Sequence, residues 1–440
     1  MLAYNLTQDG PPIVLAAGLR SPWVKAGGAY KKDDAGHLGG AVARELLTRT
    51  GLDPALLDEV VVGCVGPPHD QANIGRVIAL RAGVPQSVPA RTVARNCASG
   101  IEAVTSAIAN IRAGFGDTYL TMGVEVMSGY PLIMGRRLTG FFERMMKSRG
   151  MGAQLGTMLS FRPSMLKPRV ALLEGLTDPV SGLIMGKTAE LIAREFDVSR
   201  DLCDGFSLRS HERAIAANNR GRFEREIVPH LPLGAKKGAR SVEADDAPRA
   251  DQSMERLAKL KPYFEKPDGV VTVGNACGIT DGAAALLVTT EDKAAALGLK
   301  PLARIRSFAW SGCDPSRMGL GPVYSSAAAL EAAGCNLADM GTVEINEAFA
   351  AQVLACARAF EDKKWAAKHG VNANVLGELD LGKTNVNGGA IALGHPVGAT
   401  GARLLLTAAH EMEVGDHELA LTTLCIGGGQ GGAVVLERVA

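Results

Sequence analysis

The feature that most constrains this chain is an alternation of short, β-branched apolar runs with alanine-rich segments of helical periodicity. Residues 13–17 and 59–65 are apolar runs that end at Gly or Pro, as buried strands do. Residues 38–50 and 101–113 carry apolar side chains at three- and four-residue spacing, and Gly114 follows the second as a helix stop. Such alternation favours an α/β sheet.

The same order of elements returns in the last third of the chain. Residues 341–345 predict a strand, 348–360 a helix, 399–412 a helix after a glycine-rich turn, and 418–425 a strand. The chain has 440 residues, enough for two to four compact units, and its 53 glycines indicate many tight turns. We therefore expect two related α/β halves.

Charge and cysteine spacing exclude several classes of protein. The 47 basic and 46 acidic residues leave a net charge of +1, so nucleic acid is not an expected partner. The eight cysteines are scattered without a C-x-x-C pair, which predicts neither a metal site nor a disulfide framework. No secretory leader or 18-residue apolar stretch is recognisable, so we expect a soluble protein of the cytoplasm or of an organelle matrix.

A segment of different composition, residues 136–169, separates the halves. It holds eight basic residues and one acidic residue, interleaved with Phe, Met and Leu. One interpretation is an inserted subdomain that packs on the core. The alternatives are a rim for an anionic ligand, a contact with a membrane surface, or a partner site.

The motif Asn96-Cys97-Ala98-Ser99-Gly100 lies between a strand-like run and a helix-like run. A thiol at a helix N-terminus is a candidate nucleophile, because the helix dipole and free amides favour the thiolate and lower the thiol pKa. The alternative is a buried structural cysteine.

Two further motifs suggest partners for Cys97. His395 lies in the glycine-rich loop of residues 387–401, where a ligand can approach the backbone and the imidazole can accept a thiol proton or stabilise an oxyanion. Cys425 lies at the end of a predicted strand, just before Gly427. Because strand pairing stops there, the backbone amides around Gly427 become free to donate to an oxyanion. Asn346 lies between a predicted strand and a predicted helix. Its side-chain amide either caps the helix in the ordinary way or binds a water or a carbonyl oxygen. Together these groups have the pattern of acyl transfer.

The blocks NCASG, GNACGITDGAAA, NEAFA, GHPVGATGAR and CIGGGQGG occur in the order seen in the thiolase family, which this chain resembles over most of its length. The resemblance implies the thiolase fold, with two βαβαβαββ halves in a five-layer core, a loop domain inserted in the first half, and a homodimer or homotetramer. The implied domains are 1–127 with 268–299, the inserted loop domain 128–267, and 300–440.

The resemblance also implies catalytic roles. Cys97 looks like the nucleophile that carries the acyl group, His395 its base, and Cys425 the second acid/base thiol. One oxyanion hole would use His395 and a water on Asn346, and the other the backbone amides of Cys97 and Gly427. Coenzyme A would be a co-substrate, with no permanently bound cofactor.

The residues implied to contact coenzyme A are Met185, Ala348, Phe349, Cys277 and Gly278. At the last two positions the family more often has Ser-Gly, so the thiol of Cys277 replaces a serine hydroxyl and weakens the contact that this hydroxyl would make with coenzyme A.

The subfamily signals conflict. Ile184 stands where short-chain biosynthetic thiolases often have a histidine, and the long insert resembles degradative thiolases of trifunctional complexes. Those enzymes, however, usually carry His-Glu-Ala-Phe where this chain has Asn346.

The expected function is 3-oxoacyl-CoA thiolysis, which yields acetyl-CoA and a shortened acyl-CoA. The alternatives are a short-chain acetyl-CoA C-acetyltransferase, a ketoacyl synthase (disfavoured by Cys425), and a non-catalytic thioester-binding or scaffold protein. The insert would contact a hydratase-dehydrogenase partner or an anionic membrane.

Overall fold

The computed structural model describes residues 1–8 and 10–439, and within them most strands join one continuous hydrogen-bonded path. The strands are β1 (Leu2–Asn5), β2 (Ile13–Arg20), β3 (Val24–Lys25), β4 (Glu59–Gly63), β5 (Ala90–Val93), β6 (Thr118–Val126), β7 (Leu132–Ile133), β8 (Arg169–Val170), β9 (Thr280–Thr290), β10 (Ala303–Gly312), β11 (Thr342–Ile345), β12 (Leu419–Ile426) and β13 (Gln430–Glu437). The helices are α1 (Ala35–Thr50), α2 (Ile74–Ala82), α3 (Ser99–Arg112), α4 (Arg136–Lys147), α5 (Met151–Leu159), α6 (Ala171–Gly175), α7 (Met185–Glu195), α8 (Arg200–Asn219), α9 (Met254–Ala258), α10 (Glu291–Ala296), α11 (Gly321–Ala333), α12 (Ala350–Glu361), α13 (Lys363–Lys368), α14 (Ala390–Leu393) and α15 (Val397–Val414).

The two halves share one strand topology. In the first half the order is β5-β4-β6-β9-β2, where β4 runs parallel to β5 and β6, and the pairs β6–β9 and β9–β2 are antiparallel. In the second half β11 runs parallel to β12, and the pairs β12–β13 and β13–β10 are antiparallel. A parallel bridge between Val343 and Thr384 stands where β5 stands in the first half. The predicted duplication is confirmed.

We call the strands of the first half (β2, β4, β5, β6 and β9) the first sheet, and those of the second half (β10 to β13) the second sheet. The helices and these two sheets form five layers. One hydrophobic core joins α1 and α2 to the first sheet, a second surrounds α3 and α15 between the sheets, and a third joins α11 and α12 to the second sheet. In α15 every residue from Gly398 to Met412 is buried, because both faces of this helix meet a sheet. The five-layer core implied by the resemblance is therefore present.

The predicted helices and strands are confirmed, with ends displaced by a few residues. The helix expected over 38–50 begins at Ala35, because the Asp34 side chain caps it by accepting from the His37 amide. The strand expected over 13–17 continues to Arg20, where it still pairs with β9.

The inserted residues 136–169 form α4 and α5, which bury little. Only Leu138 and Phe141 of α4 are buried, and no residue of α5 is. No helix in the described part of the chain is long and apolar enough to cross a membrane. The proposed domain boundaries remain a prediction.

Candidate active site

The candidate nucleophile and base lie where the two central helices begin. Cys97 lies two residues before α3, and His395 lies two residues before α15. The two helices touch near their N-termini, where a Cβ atom on Gly100 would lie 2.5 Å from the backbone nitrogen of Ala402. Only glycine permits this approach, which brings both helix starts to one cavity.

The cavity has a volume of about 340 Å³, and most of the predicted site residues line it. Eight of them lie on its wall: Cys97, Met185, Cys277, Ala348, Phe349, His395, Cys425 and Gly427. Gly278 is not on the wall, but its carbonyl accepts a hydrogen bond of 3.1 Å from the His395 amide. Asn346 is also not on the wall.

Backbone pairing explains why distant parts of the sequence meet here. The Cys277 amide donates to the Ala348 carbonyl at 3.1 Å, and Ala276 forms an antiparallel bridge with Phe349. Because Gly278 in turn accepts from His395, the segment 276–278 is held between the start of α12 and the histidine loop. The residues implied to bind coenzyme A therefore lie beside the candidate catalytic groups.

The turn around Cys97 is tied to the turn after Cys425. The Asn96 side-chain amide donates to the Gly427 carbonyl at 2.8 Å, and Asn96 has a positive φ of 43°, a conformation rare outside glycine. The backbone amides of Gly427 and of Cys97 itself lie close enough to the Cys97 sulfur to act on the pKa of its thiol. The two donors expected for an oxyanion hole are thus adjacent to the candidate nucleophile.

Asn346 is fully buried at the end of β11, where its backbone amide donates to the Thr423 carbonyl. Neither the oxygen nor the nitrogen of its side chain has a hydrogen-bond partner among the described residues. Buried polar atoms of this kind require a partner, and a water or a substrate oxygen can supply it.

Comparison with known proteins identifies the family. The thiolase N-terminal domain model matches residues 13–292, and the thiolase C-terminal domain model matches residues 299–438. An acetyl-CoA acetyltransferase of Allochromatium vinosum is 41% identical over 428 residues, which cover 97% of this chain and 99% of that protein. The chain belongs to the thiolase family.

Solved thiolase structures agree with the fold. The structure of human mitochondrial 3-ketoacyl-CoA thiolase in complex with CoA superposes with a TM-score of 0.83 at 34% identity, over 98% of each chain. The acetyl-CoA acetyltransferase of Bacillus anthracis superposes with a TM-score of 0.85 at 35% identity, over 98% of this chain and 100% of that one. The chain is therefore an acyltransferase of the thiolase fold, a family that uses coenzyme A as co-substrate.

The resting state of the candidate nucleophile, Cys97, differs from the sequence-based expectation. We expected the helix N-terminus to lower the pKa of Cys97, but burial raises it to about 11 and outweighs the opposing effect of the Gly427 and Cys97 amides. Burial and the positive charge of Arg403 lower the pKa of His395 to about 4. The pair therefore rests as a neutral thiol beside a neutral imidazole.

The orientation of His395 is set by a residue that the sequence did not single out. Thr400 Oγ1 lies 2.7 Å from His395 Nδ1, and the Thr400 hydroxyl also lies 3.4 Å from the Pro396 carbonyl, which can accept its hydrogen. If it does, the Thr400 oxygen accepts from Nδ1–H, and Nε2 is left as the proton acceptor. Thr400 was visible in the sequence as the first hydroxyl after GHPVGA.

Cys425, at the end of β12, is almost completely buried. Burial raises the pKa of its thiol, and the charges of Cys97, Cys356 and Cys277 act in the same direction. This thiol is therefore protonated in the resting site.

Glu125 also lies close to the site without having been predicted. It is fully buried at the end of β6 and accepts hydrogen bonds from the amides of Val65, Gly66 and Gly398 and from the Tyr130 hydroxyl. It thereby ties the loop after His395 to the first sheet. A carboxylate in an otherwise apolar strand was the signal in the sequence.

One wall of the cavity comes from the inserted region. It includes Leu172, Leu176 and Val180, which line the cavity together with Met127 and the candidate catalytic residues. This wall has no periodic pattern in the sequence, because it is built from the five-residue helix α6 and the turns that follow it rather than from one long element.

Proposed function

We propose that this chain catalyses the coenzyme A-dependent thiolysis of 3-oxoacyl-CoA, with acyl chains longer than that of acetoacetyl-CoA. The observation that carries the proposal is the convergence of Cys97, His395, Cys425 and the Gly427 amide on one cavity with a largely apolar wall. Each group has the protonation state that thiolysis requires at its start.

The first chemical step begins with proton transfer from Cys97 to His395 Nε2. The sulfur attacks the 3-oxo carbon of the substrate, and negative charge moves from sulfur to the carbonyl oxygen. The amides of Cys97 and Gly427, already adjacent to the sulfur, can donate to that oxygen. Collapse of this intermediate breaks the bond between C2 and C3 and leaves the acyl group on Cys97.

The departing acetyl-CoA leaves as an enolate, and Cys425 protonates its carbon. The unpartnered side chain of Asn346, through a water, and the protonated Nε2 of His395 stabilise the enolate oxygen. The Cys425 thiolate then takes the proton of a new coenzyme A thiol, whose sulfur attacks the acyl-cysteine. The products are a shortened acyl-CoA and the Cys97 thiolate, which takes its proton back from His395, so that both thiols are restored.

The wall formed by Leu172, Leu176 and Val180 supports a substrate longer than acetoacetyl-CoA. A two-carbon acetyl group has little apolar surface to bury, whereas each additional buried methylene contributes roughly 0.8 kcal/mol. The named relatives include acetyl-CoA acetyltransferases, so Claisen condensation of two acetyl-CoA molecules is the second candidate function.

The test is coenzyme A-dependent loss of acetoacetyl-CoA and of a long-chain 3-oxoacyl-CoA by the purified protein. We expect a higher kcat/KM for the long substrate, and no turnover of either by Cys97→Ala. Activity confined to acetoacetyl-CoA would instead establish the acetyltransferase function.

A pair of neighbouring variants tests the acyl wall directly. Leu176→Trp narrows the cavity, and it should lower kcat/KM for the long substrate much more than for acetoacetyl-CoA. Leu173→Trp is the matched control, because Leu173 is 52% exposed and is not on the cavity wall. Equal losses on both substrates would place coenzyme A, and not the acyl chain, against this wall.

For the inserted residues 136–169 we propose contact with an anionic membrane surface. Met146, Met151 and Leu159 are 80%, 87% and 71% exposed, which is unusual for a soluble surface. All eight basic residues of the segment are exposed as well. Apolar side chains beside a strong positive charge suit the boundary between lipid headgroups and acyl chains.

Sedimentation with vesicles tests the membrane contact. The protein should bind vesicles rich in phosphatidylserine and not vesicles of phosphatidylcholine alone, and Met151→Glu with Leu155→Glu should abolish binding. Absence of binding, with co-purification of a hydratase-dehydrogenase through the same residues, would replace the membrane by that protein partner. The homodimer or homotetramer remains a prediction for light scattering, and the cytoplasmic location one for fractionation.

A further inference from the structure

Outside the catalytic cavity, three metal-ligating side chains meet at the start of α1. They are Asp33, His37 and His230, and one ligand atom from each lies within 4.8 Å of the other two. Asp33 precedes the helix, His37 lies in its first turn, and His230 comes from a distant segment that pairs with Val242 through two backbone hydrogen bonds. The cluster therefore joins two parts of the chain almost 200 residues apart.

The distances suit a tetrahedral metal ion. His230 Nε2 lies 3.2 Å from one oxygen of Asp33, and His37 Nε2 lies 3.7 Å from the other. Zinc with bonds of about 2.0 to 2.1 Å places neighbouring ligand atoms roughly 3.3 to 3.4 Å apart. Small rotations of the two imidazoles would bring all three side chains to bonding distance.

The exposure of the three ligands also has a pattern. The side chain of Asp33 is fully buried and that of His230 is 4% exposed, whereas His37 is 37% exposed. Three protein ligands with one side open to solvent leave a fourth position for water. The buried histidine and carboxylate fix the site, and the exposed histidine provides an entry path.

Groups around the cluster hold the ligands in place. The Leu233 amide donates to Asp33 Oδ1 at 3.0 Å, and such outer contacts orient ligating carboxylates. The Tyr30 ring packs edge-on against His230, with centroids 5.2 Å apart. The Tyr30 hydroxyl is buried without a hydrogen-bond partner among the described residues. A metal-bound water is a group that this hydroxyl can pair with.

We propose that Asp33, His37 and His230 bind one divalent cation of the zinc class. Two imidazoles and one carboxylate are ligands of intermediate softness, which favours zinc over calcium or magnesium. None of the three residues lies on the wall of the catalytic cavity, so the ion would have a structural role. It would fasten the start of α1 to the segment around residue 230.

The experiment must separate this site from the cysteines. Accessible thiols of the purified protein are blocked with iodoacetamide, metal is removed with a chelator, and Zn²⁺ is titrated by calorimetry. Co²⁺ is added in parallel, because a cobalt–thiolate bond gives a charge-transfer band in the near ultraviolet that nitrogen and oxygen ligands do not give. We expect about one Zn²⁺ per chain and no thiolate band.

Variants locate the ion. His37→Ala should weaken Zn²⁺ binding by at least about tenfold and abolish the rise in Tm that Zn²⁺ causes, because loss of a direct ligand exceeds the loss of an outer contact. Asp33→Asn should have the same effect. His69→Ala, at an exposed histidine in the loop before α2, is the matched control and should bind as the parent does.

Three results would overturn the proposal. They are absence of Zn²⁺ binding by the folded parent protein, a cobalt–thiolate band for the bound ion, and unchanged binding in both His37→Ala and Asp33→Asn. The first would leave Asp33 as a carboxylate that is hydrogen-bonded to His230 and lies near His37, with no metal ion between them. His37 is partly exposed, so its variant should keep the fold, and the Tm without metal verifies this.

Discussion

Replacement of Thr400 by valine tests whether the orientation of His395 matters for proton transfer. Valine keeps the shape of threonine but removes the oxygen that lies 2.7 Å from His395 Nδ1. Thr400 is fully buried, so no water replaces the lost partner, and the Nδ1–H group is left unsatisfied or the ring turns. Thr400→Ser keeps the oxygen and is the matched control.

The size of the effect follows from the cost of an unsatisfied buried donor, about 1 to 3 kcal/mol. At about 1.4 kcal/mol for each factor of ten, kcat for thiolysis should fall by roughly 5- to 150-fold. KM should change little, because Thr400 is not on the cavity wall. Thr400→Ser should stay within about threefold of the parent.

The assay is steady-state thiolysis of a 3-oxoacyl-CoA, with the Tm of each variant as a check on folding. A kcat for Thr400→Val equal to that of the parent, in a folded protein, would refute the role of Thr400 in positioning the base. A fall in kcat that Thr400→Ser shares would show that packing, and not the hydrogen bond, is responsible.

Three further predictions concern the same site. Since burial raises the pKa of Cys97 to about 11, inactivation by iodoacetamide should accelerate about tenfold per pH unit from about pH 7 to about pH 9, and a plateau below about pH 8 would contradict the neutral thiol. Cys425→Ala should slow turnover at least about 100-fold while mass spectrometry still detects acyl-Cys97; loss of acylation as well would contradict the separate roles. Glu125→Gln should destabilise folding by about 1 to 3 kcal/mol, because a side-chain NH₂ group would face backbone amides such as that of Gly398; an unchanged denaturation midpoint would refute this.

The sequence predicts the architecture well because both halves are built from regular elements. Apolar runs such as β4 and alanine-rich helices such as α3 have periodicities that identify them locally. The exception is the edge of the second half, at the position that β5 occupies in the first half. There the strand is reduced to one bridge between Val343 and Thr384. A single bridge leaves no periodic pattern in the sequence.

The sequence identifies the residues of the site better than it predicts their environment. The motifs around Cys97 and His395 are local, and the structure brings both to one cavity. The pKa of Cys97 depends instead on how completely distant segments exclude water, which no local motif encodes. Glu125 and Leu176 were missed for a related reason, because their contacts with the site are made across the fold.

The burial that keeps Cys97 neutral is compatible with its proposed role as a nucleophile. In the resting site the amides of Cys97 and Gly427 lie beside a neutral sulfur, and burial makes a lasting thiolate unfavourable. In the attack on a carbonyl, the charge that forms as His395 takes the proton passes to the substrate oxygen, which the same two amides can reach. A fixed pair of donors stabilises that oxygen more than solvent would, because no reorganisation is needed when the charge appears. The site therefore favours a transition state that carries charge on oxygen over a ground state that carries it on sulfur.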